Sequence, residues 1–164
     1  MIDLSMAANK KDSLNLNPRI ENRKAWHNYH ISAKLECGIA LVGTEVKSLR
    51  LGRATIADAF ARIENGELFL YGLHIDPYSK ASLAINHEVM RSRKLLVHKR
   101  EIRKLEAETR ERGVTLIPLS LYFKDGRAKL ELAVARGKQL HDKRAAIKEK
   151  ERDRDLRRAT MRRG

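Results

Sequence analysis

Cysteine is nearly absent from this chain of 164 residues, which contains only Cys37. One cysteine excludes an internal disulfide and any zinc site built from paired cysteines. In an apolar run such a side chain is usually small and buried, and we expect this of Cys37. A low cysteine content is also typical of reducing compartments, so we predict a cytoplasmic protein.

Long apolar runs are missing as well. No stretch of the sequence approaches the roughly 18 apolar residues of a membrane-spanning helix. The first residues, MIDLSMAANKKD, lack the basic start and the apolar block of a secretory signal. We therefore expect neither a leader peptide nor a membrane partner.

The motifs of common enzyme classes are also absent. The sequence contains neither GxxxxGK[ST] nor GxGxxG, and Ser48 and Ser79 lack the surroundings of a nucleophile elbow. His27 and His30 have only a weak metal-ligand spacing. We predict no enzyme, no metal and no cofactor. The enzyme alternative is a metal-dependent nuclease that uses these two histidines.

Positive charge is what the chain has in excess. It carries 35 Lys and Arg residues against 21 Asp and Glu residues, for a net charge of +14. Such a charge attracts polyanions over long distances, and nucleic acid is the commonest of these partners. The excess lies in residues 22–137 and in residues 138–164, so each segment could contact phosphate independently.

The sequence pattern divides the chain into three segments. Residues 1–21 are polar without an apolar period, and we predict a flexible N-terminal arm. Residues 22–137 have the periodicity of a folded domain. Residues 138–164 form a basic tail in which hardly any apolar residues are adjacent.

The tail is rich in good helix formers but has no apolar stripe. From Lys148 it reads KEKERDRD, so in a helix the i, i+4 pairs have like charges and the i, i+3 pairs have opposite charges. The repulsion of the like-charged pairs and the attraction of the opposite pairs are each worth a few tenths of a kcal/mol, so they roughly cancel. We predict a tail that is disordered when free and helical on a polyanion. The alternative is a permanently disordered, solubilising tail.

Two hairpins are indicated by local turn chemistry. Asn65-Gly66 separates two β-prone runs within residues 60–72, and Asp125-Gly126 does so within residues 114–137. Pro118 predicts an edge or a bulge where the second hairpin begins.

The remaining elements are one long strand and two helices. Residues 29–42 alternate loosely, and Gly38 predicts a bend or bulge there. Thr44 and Gly52 are suited to begin and end a short helix. Residues 98–113 predict an amphipathic helix that ends at Gly113.

About six short strands with two inserted helices predict a mainly β domain. A small antiparallel β-barrel of the oligonucleotide-binding type removes sheet edges most simply, and we predict this architecture for residues 22–137. A β-sandwich is the alternative.

The segment NRKAWHNYH, residues 22–30, has a composition typical of RNA binding. Arg23 and Lys24 could neutralise phosphate while Trp26 and Tyr29 offer flat rings to unpaired bases. Alternatively, the segment begins a strand and both rings pack on the core.

Two further basic runs and one acidic residue complete this pattern. RSRK, residues 91–94, and KREIRK, residues 99–104, add positive charge, although the second is also typical of a solvated helix face. Glu36 either faces solvent or pairs with a nearby cation, where its carboxylate could accept hydrogen bonds from base or ribose donors.

Four motifs together resemble the SsrA-binding protein family, also called small protein B. They are NRKAWHNY (22–29), GIALVGTEVKSLRLG (38–52), RKLL (93–96) and GKQLHDKR (137–144), the last followed by IKE. The resemblance extends in order from Asn22 to Glu149.

The resemblance implies a bacterial RNA-binding adaptor. Such a protein binds the tRNA-like domain of transfer-messenger RNA (tmRNA) and delivers it to stalled ribosomes for trans-translation, which rescues the ribosome and tags the peptide. The tail would occupy the empty mRNA channel near the decoding centre and contact small-subunit ribosomal RNA. We expect a monomer when free. A ribosomal or assembly protein is the alternative binding class.

The resemblance also implies roles for individual residues. It assigns RNA binding to Asn22, Tyr29 and Glu36, and the basic Arg23 and Lys24 adjoin them. It assigns ribosome binding to the tail motif, with the ring of one histidine against a decoding-centre base. The tail residues concerned are Gly137, Lys138, His141, Asp142, Lys143 and Arg144.

Overall fold

The computed structural model describes residues 17–161, which contain nine strands and four helices. Most of the predicted N-terminal arm, residues 1–16, lies outside the described residues. The strands are β1 (Ile20–Glu21), β2 (Tyr29–Ile39), β3 (Ala54–Thr55), β4 (Phe60–Glu64), β5 (Glu67–Tyr71), β6 (His74–Ile75), β7 (Arg93–Leu96), β8 (Val114–Lys124) and β9 (Arg127–Gly137). The helices are α1 (Arg23–Asn28), α2 (Gly43–Arg50), α3 (Lys99–Thr109) and α4 (Leu140–Met161).

Six of the strands form a closed antiparallel ring. Its order is β8-β4-β5-β7-β2-β9, and β9 pairs back with β8. Strand β1 adds to β8, while β3 and β6 form a separate two-stranded sheet. Ring closure satisfies the backbone groups that an open sheet leaves at its edges. The predicted mainly β fold with short helices is confirmed.

The core lies inside this ring. Alternate side chains of the strands point inward, and several are completely buried. They include Leu68, Leu70, Leu95, Leu130 and Leu132. Within residues 17–161, no helix is both long enough and apolar enough to cross a membrane.

Both predicted hairpins are confirmed. Asn65 and Gly66 have φ angles of 51° and 75°, and Asp125 and Gly126 have φ angles of 52° and 73°. Two consecutive positive φ angles are typical of the tight turns that match the twist of paired strands.

The two bulge predictions have different outcomes. The register of β8 shifts between Pro118 and Ser120, as predicted. In β2 the shift lies between Ile31 and Ala33, so of the bend or bulge predicted at Gly38 the bulge is not found there. The glycine instead permits a close approach between strands, because a Cβ there would lie 3.1 Å from the Cβ of Leu96.

The two predicted helices exist, but their ends differ from the predictions. Helix α2 begins after Val42 rather than at Thr44, since the Val42 N–H donates to Glu45 Oε2 at 2.9 Å. Gly52, with φ of 70°, follows its end as predicted. Helix α3 ends at Thr109, before Gly113.

Helix α1 is not among the predicted elements, and the start of a strand was the one structural alternative for residues 22–30. The Asn22 side chain accepts a hydrogen bond from the Ala25 N–H at 3.2 Å and so caps the helix. Asparagine is among the best N-cap residues, and this was the signal in the sequence. In the tail, α4 is helical over Leu140–Met161, and disorder of the free tail stays a prediction.

Cys37 should be unreactive in the folded protein. Its side chain has no exposed surface, and burial raises the pKa of the thiol to about 12. The reactive thiolate is therefore scarce and shielded at pH 8. We expect labelling by a disulfide reagent to be at least about 100-fold slower in buffer than in denaturant. Rapid labelling of one thiol per chain without denaturant would contradict this burial.

Candidate RNA-binding surface

Strands β2, β9 and β8 present a row of polar residues on the outer face of the ring. Glu36 lies opposite Glu131 across β2 and β9, and Glu131 lies opposite Ser120 across β9 and β8. Directly paired residues of antiparallel strands share a face, so these three side chains are neighbours. We call this surface the strand face.

Glu36 is an ionised hydrogen-bond acceptor on the strand face. The Tyr122 hydroxyl donates to one carboxylate oxygen, and Lys124 Nζ lies 3.3 Å from the other. The Tyr122 hydrogen bond is the main cause of a lowered pKa for Glu36, and the nearby lysines assist it against partial desolvation. The two alternatives for Glu36 are therefore both found, since the residue is exposed to solvent and is also paired with a lysine.

Tyr122 stays protonated beside this carboxylate. Burial is the first cause that raises the pKa of Tyr122 to about 12, and the hydrogen bond to Glu36 is the second. The hydroxyl is thus a fixed donor, and it orients the glutamate.

A second network surrounds Glu131. Arg19 Nη2 lies 3.0 Å from Ser120 Oγ and 3.5 Å from Glu131 Oε2, and Lys34 Nζ lies 3.4 Å from Glu131 Oε1. The sequence reasoning missed these cations. Alternation along β2 could have identified one of them, because Lys34 and Glu36 are two residues apart and must share a face.

Helix α1 covers the end of the strand face. Ala25 is buried in a small apolar cluster with residues of β8 and β9, including Ile117 and Ala133. Arg23 and Lys24 remain exposed on the outer side of the helix. Burial of one helix side therefore presents these two predicted phosphate-binding residues to solvent.

Asn22 lies in a different environment from these cations. Its side chain is only 2 % exposed, and Nδ2 donates to the Pro118 carbonyl at 3.0 Å and the Ile56 carbonyl at 3.4 Å. Together with the cap to Ala25, these bonds hold α1 against β8. An effect of Asn22 on RNA binding would act through the position of α1.

The two aromatic residues of this segment differ in exposure. Tyr29 is partly buried against the apolar cluster beneath α1. Trp26 is 53 % exposed, and Lys34 Nζ lies 4.7 Å from its ring centroid. Core packing, the alternative considered for both rings, therefore applies to Tyr29 alone.

The ring and the tail meet at α1, in a region that we call the joint. Gly137 pairs with Tyr29 in the last register position of β9. The Lys138 N–H donates to the Asn28 carbonyl at 2.8 Å, and Lys138 Nζ donates to the Trp26 carbonyl at 3.2 Å. The two groups of predicted site residues, in α1 and in the tail motif, are thus adjacent.

The tail motif places its charged groups in two environments. Asp142 Oδ2 accepts from the Gln139 N–H at 3.3 Å and lies 3.5 Å from His30 Nε2. Although desolvation acts to raise the pKa of Asp142, these two contacts and His141 lower it. His141 and Arg144 are exposed, and Lys143 is partly exposed.

The two arginines of the RSRK segment both pair with the same acidic residue. Arg93 is fully buried, and its guanidinium bonds to Glu45 Oε1 at 2.8 Å. Arg91 is 2.5 Å from Glu45 Oε2. Both arginines are thus paired with one buried carboxylate, so the run offers less unpaired charge than its number of cations indicates.

Residues 17–161 contain no cluster of three His, Cys, Asp or Glu residues that could hold a metal ion. His27 is exposed on α1, whereas His30 lies on β2 next to Asp142. The nuclease alternative therefore has no three-ligand site in the described part of the chain.

Comparison with known proteins gives a match over most of the sequence. The family model described as SmpB protein matches residues 19–162. The SsrA-binding protein of Carboxydothermus hydrogenoformans is 57% identical over 139 residues, which are 85% of this chain and 93% of the relative. The SsrA-binding protein of Thermobifida fusca is 52% identical over 160 residues, which are 96% of this chain and 99% of the relative.

A solved structure has the same fold. A chain from "tmRNA-SmpB: a journey to the center of the bacterial ribosome" superposes with a TM-score of 0.65 and 48% sequence identity. The match covers 79% of this chain and 94% of that chain.

Proposed function

Because the chain belongs to the SmpB protein family, we propose that it is an RNA-binding adaptor for trans-translation in the bacterial cytoplasm. It would bind the tRNA-like domain of tmRNA and deliver this RNA to stalled ribosomes. The observation that carries the proposal is the family match over residues 19–162. The role is that of an adaptor rather than an enzyme.

The strand face and α1 are proposed to bind the tRNA-like domain. Arg23 and Lys24 supply exposed positive charge for phosphate. Glu36 supplies an ionised acceptor for base or ribose donors, and Tyr122 holds it in place. Tyr29 and Asn22 support the site from beneath α1.

The tail is proposed to bind the ribosome. Gly137 ends the ring, and Lys138 and Asp142 fix the direction in which α4 leaves it. His141, Lys143 and Arg144 are then available to small-subunit ribosomal RNA near the decoding centre. Helix α4 would occupy the empty mRNA channel, where phosphate compensates its excess positive charge.

Replacing Glu36 tests the strand face, and the sign of the effect is informative. Removal of a negative charge should strengthen non-specific binding to RNA, because the protein becomes more basic. If Glu36 accepts hydrogen bonds from the tRNA-like domain, Glu36→Gln should instead weaken binding by about tenfold. Fluorescence anisotropy with a labelled tRNA-like transcript and a random hairpin, each at two salt concentrations, measures both affinities.

Glu64→Gln is the matched control for this experiment. Glu64 also accepts a hydrogen bond from a tyrosine hydroxyl, that of Tyr71 at 2.8 Å, but it lies on β4. We expect this variant to bind both RNAs at least as well as the parent protein. Equal affinity of the parent for both RNAs, lost equally with salt, would mean phosphate contact only and would contradict the proposed function.

A further inference from the structure

We propose that Trp26 is a stacking site for an unpaired RNA base at the joint between the ring and the tail. The inference rests on the proposed function and adds a base contact to a surface whose other proposed contacts are to phosphate and through the Glu36 carboxylate. Its ligand is a nucleotide in a single-stranded or bulged segment, since only an unstacked base can lie on a protein ring.

The exposure of Trp26 has no explanation in the packing of the ring. More than half of its surface is open, at 53 %, although tryptophan is highly buried on average. The neighbouring Ala25 occupies the buried position of α1, and Tyr29 packs at its end. Helix α1 is therefore held in place without the indole, which is left for another contact.

Lys34 fixes the orientation of the indole. Its Nζ lies 4.7 Å from the ring centroid and 3.4 Å from Glu131 Oε1, so the ammonium is held between the ring and the strand face. A cation over one face of an aromatic ring is attracted by its quadrupole. One face is covered in this way, and an incoming base would use the open surface.

Two cations for the adjoining phosphate lie close to Trp26 in the structure or the sequence. Lys138 Nζ lies 3.2 Å from the Trp26 carbonyl oxygen. Arg23 is one helical turn before Trp26 on α1, and its side chain is exposed. An aromatic face flanked by basic groups is the combination that proteins use to bind single-stranded nucleic acid.

The competing explanation is that the only role of the indole is its cation–π contact with Lys34. An intramolecular cation–π contact would account for the position of the ring without any RNA. The two explanations differ in what the indole experiences when RNA binds, because a stacked base changes its electronic surroundings and a distant phosphate does not.

Intrinsic fluorescence can distinguish them, since Trp26 is the only tryptophan of the chain. We expect the tRNA-like transcript to quench this fluorescence with the same midpoint as the anisotropy of the labelled RNA. Inorganic polyphosphate, which has phosphates but no bases, should bind the basic surface without comparable quenching. Unchanged fluorescence when RNA is bound, or equal quenching by polyphosphate, would overturn the stacking proposal.

Substitutions provide an independent measurement. Trp26→Leu should weaken binding to the transcript roughly tenfold without changing its salt dependence, whereas Trp26→Phe should retain most of the affinity. Tyr78→Leu removes a different ring that also carries a lysine over its face, with Lys47 Nζ 5.3 Å from the centroid, and should leave the affinity unchanged. Affinity of Trp26→Leu equal to that of the parent would overturn the proposal.

Failure of stacking and failure of the proposed function give different results. If anisotropy shows no binding of the tRNA-like transcript, both the proposed function and the proposed stacking site are contradicted. If the transcript binds while the fluorescence of Trp26 is unchanged, only the proposed stacking site is contradicted.

Discussion

Truncation after Gly137 should leave the ring folded and able to bind the tRNA-like RNA, yet reduce peptide tagging on stalled ribosomes to background. Strand β9 ends at Gly137, and every residue of the two apolar clusters lies within residues 20–135. The truncation removes the contacts that Lys138 and Asp142 make at the joint. Both residues are partly exposed. Because these contacts lie at the surface, we expect only a small loss in the free energy of unfolding.

The measurement is tagging in a reconstituted bacterial translation reaction on mRNA without a stop codon, with RNA affinity measured in parallel. His141→Ala should lower tagging in the full-length chain without changing RNA affinity. His98→Ala, which also removes an exposed histidine, is the matched control and should change neither. Tagging by the truncated chain above the level without protein would contradict a ribosomal role for the tail.

The predictable parts of the fold were those that depend on local chemistry. Asn65-Gly66 and Asp125-Gly126 specify turns through positive φ angles, which few other residue pairs tolerate. Helix α1 could not be recognised from periodicity, because Ala25 is its one buried residue. Asn22 and strand β8 hold this helix in place. Because β8 is distant in the sequence, the pattern of residues 23–28 contains no information about this contact.

The charged residues available to the site could be predicted from the sequence, but the partners with which they pair could not. The sequence shows how many cations there are, whereas the fold decides which of them are neutralised. Lys24 and Arg91 both occur in basic runs, yet Lys24 is exposed and Arg91 bonds to Glu45. Similarly, the contact of Lys34 with Trp26 joins β2 to α1, and no spacing rule for one element could predict it.

Replacing Glu45 should have the largest effect on stability. Its carboxylate has no exposed surface and bonds to both Arg91 and Arg93, the second of which is also fully buried. Arg93 additionally donates to the Leu73 carbonyl at 2.5 Å and to the Val89 carbonyl at 3.1 Å. The cluster therefore links α2 and β7 to the segments on either side of β6.

Glu45→Gln leaves a buried guanidinium without its counter-charge, and we expect a loss of about 3–5 kcal/mol in the free energy of unfolding. In a chain of this size the melting temperature should fall by roughly 10 °C. Glu67→Gln removes the carboxylate of an exposed pair with Lys94, 2.7 Å apart, and is the matched control. We expect it to cost less than about 1 kcal/mol. Equal stability of the two variants would show that the buried cluster is not needed for the fold.

The stability difference between the parent protein and Glu45→Gln should depend on pH. Burial acts to raise the pKa of Glu45, but the bonds from Arg91 and the Val42 N–H and the charge of Arg93 outweigh it, so the pKa lies below 4.5. A carboxylate with a lowered pKa contributes its full stability above the pKa of the unfolded chain, and this contribution is lost as the pH falls through the folded value. The parent protein should therefore lose part of its advantage over Glu45→Gln as the pH falls below about 4.5. Melting temperatures of both proteins between pH 7 and pH 3 test this, and a constant difference throughout would mean that Glu45 is not the group that titrates.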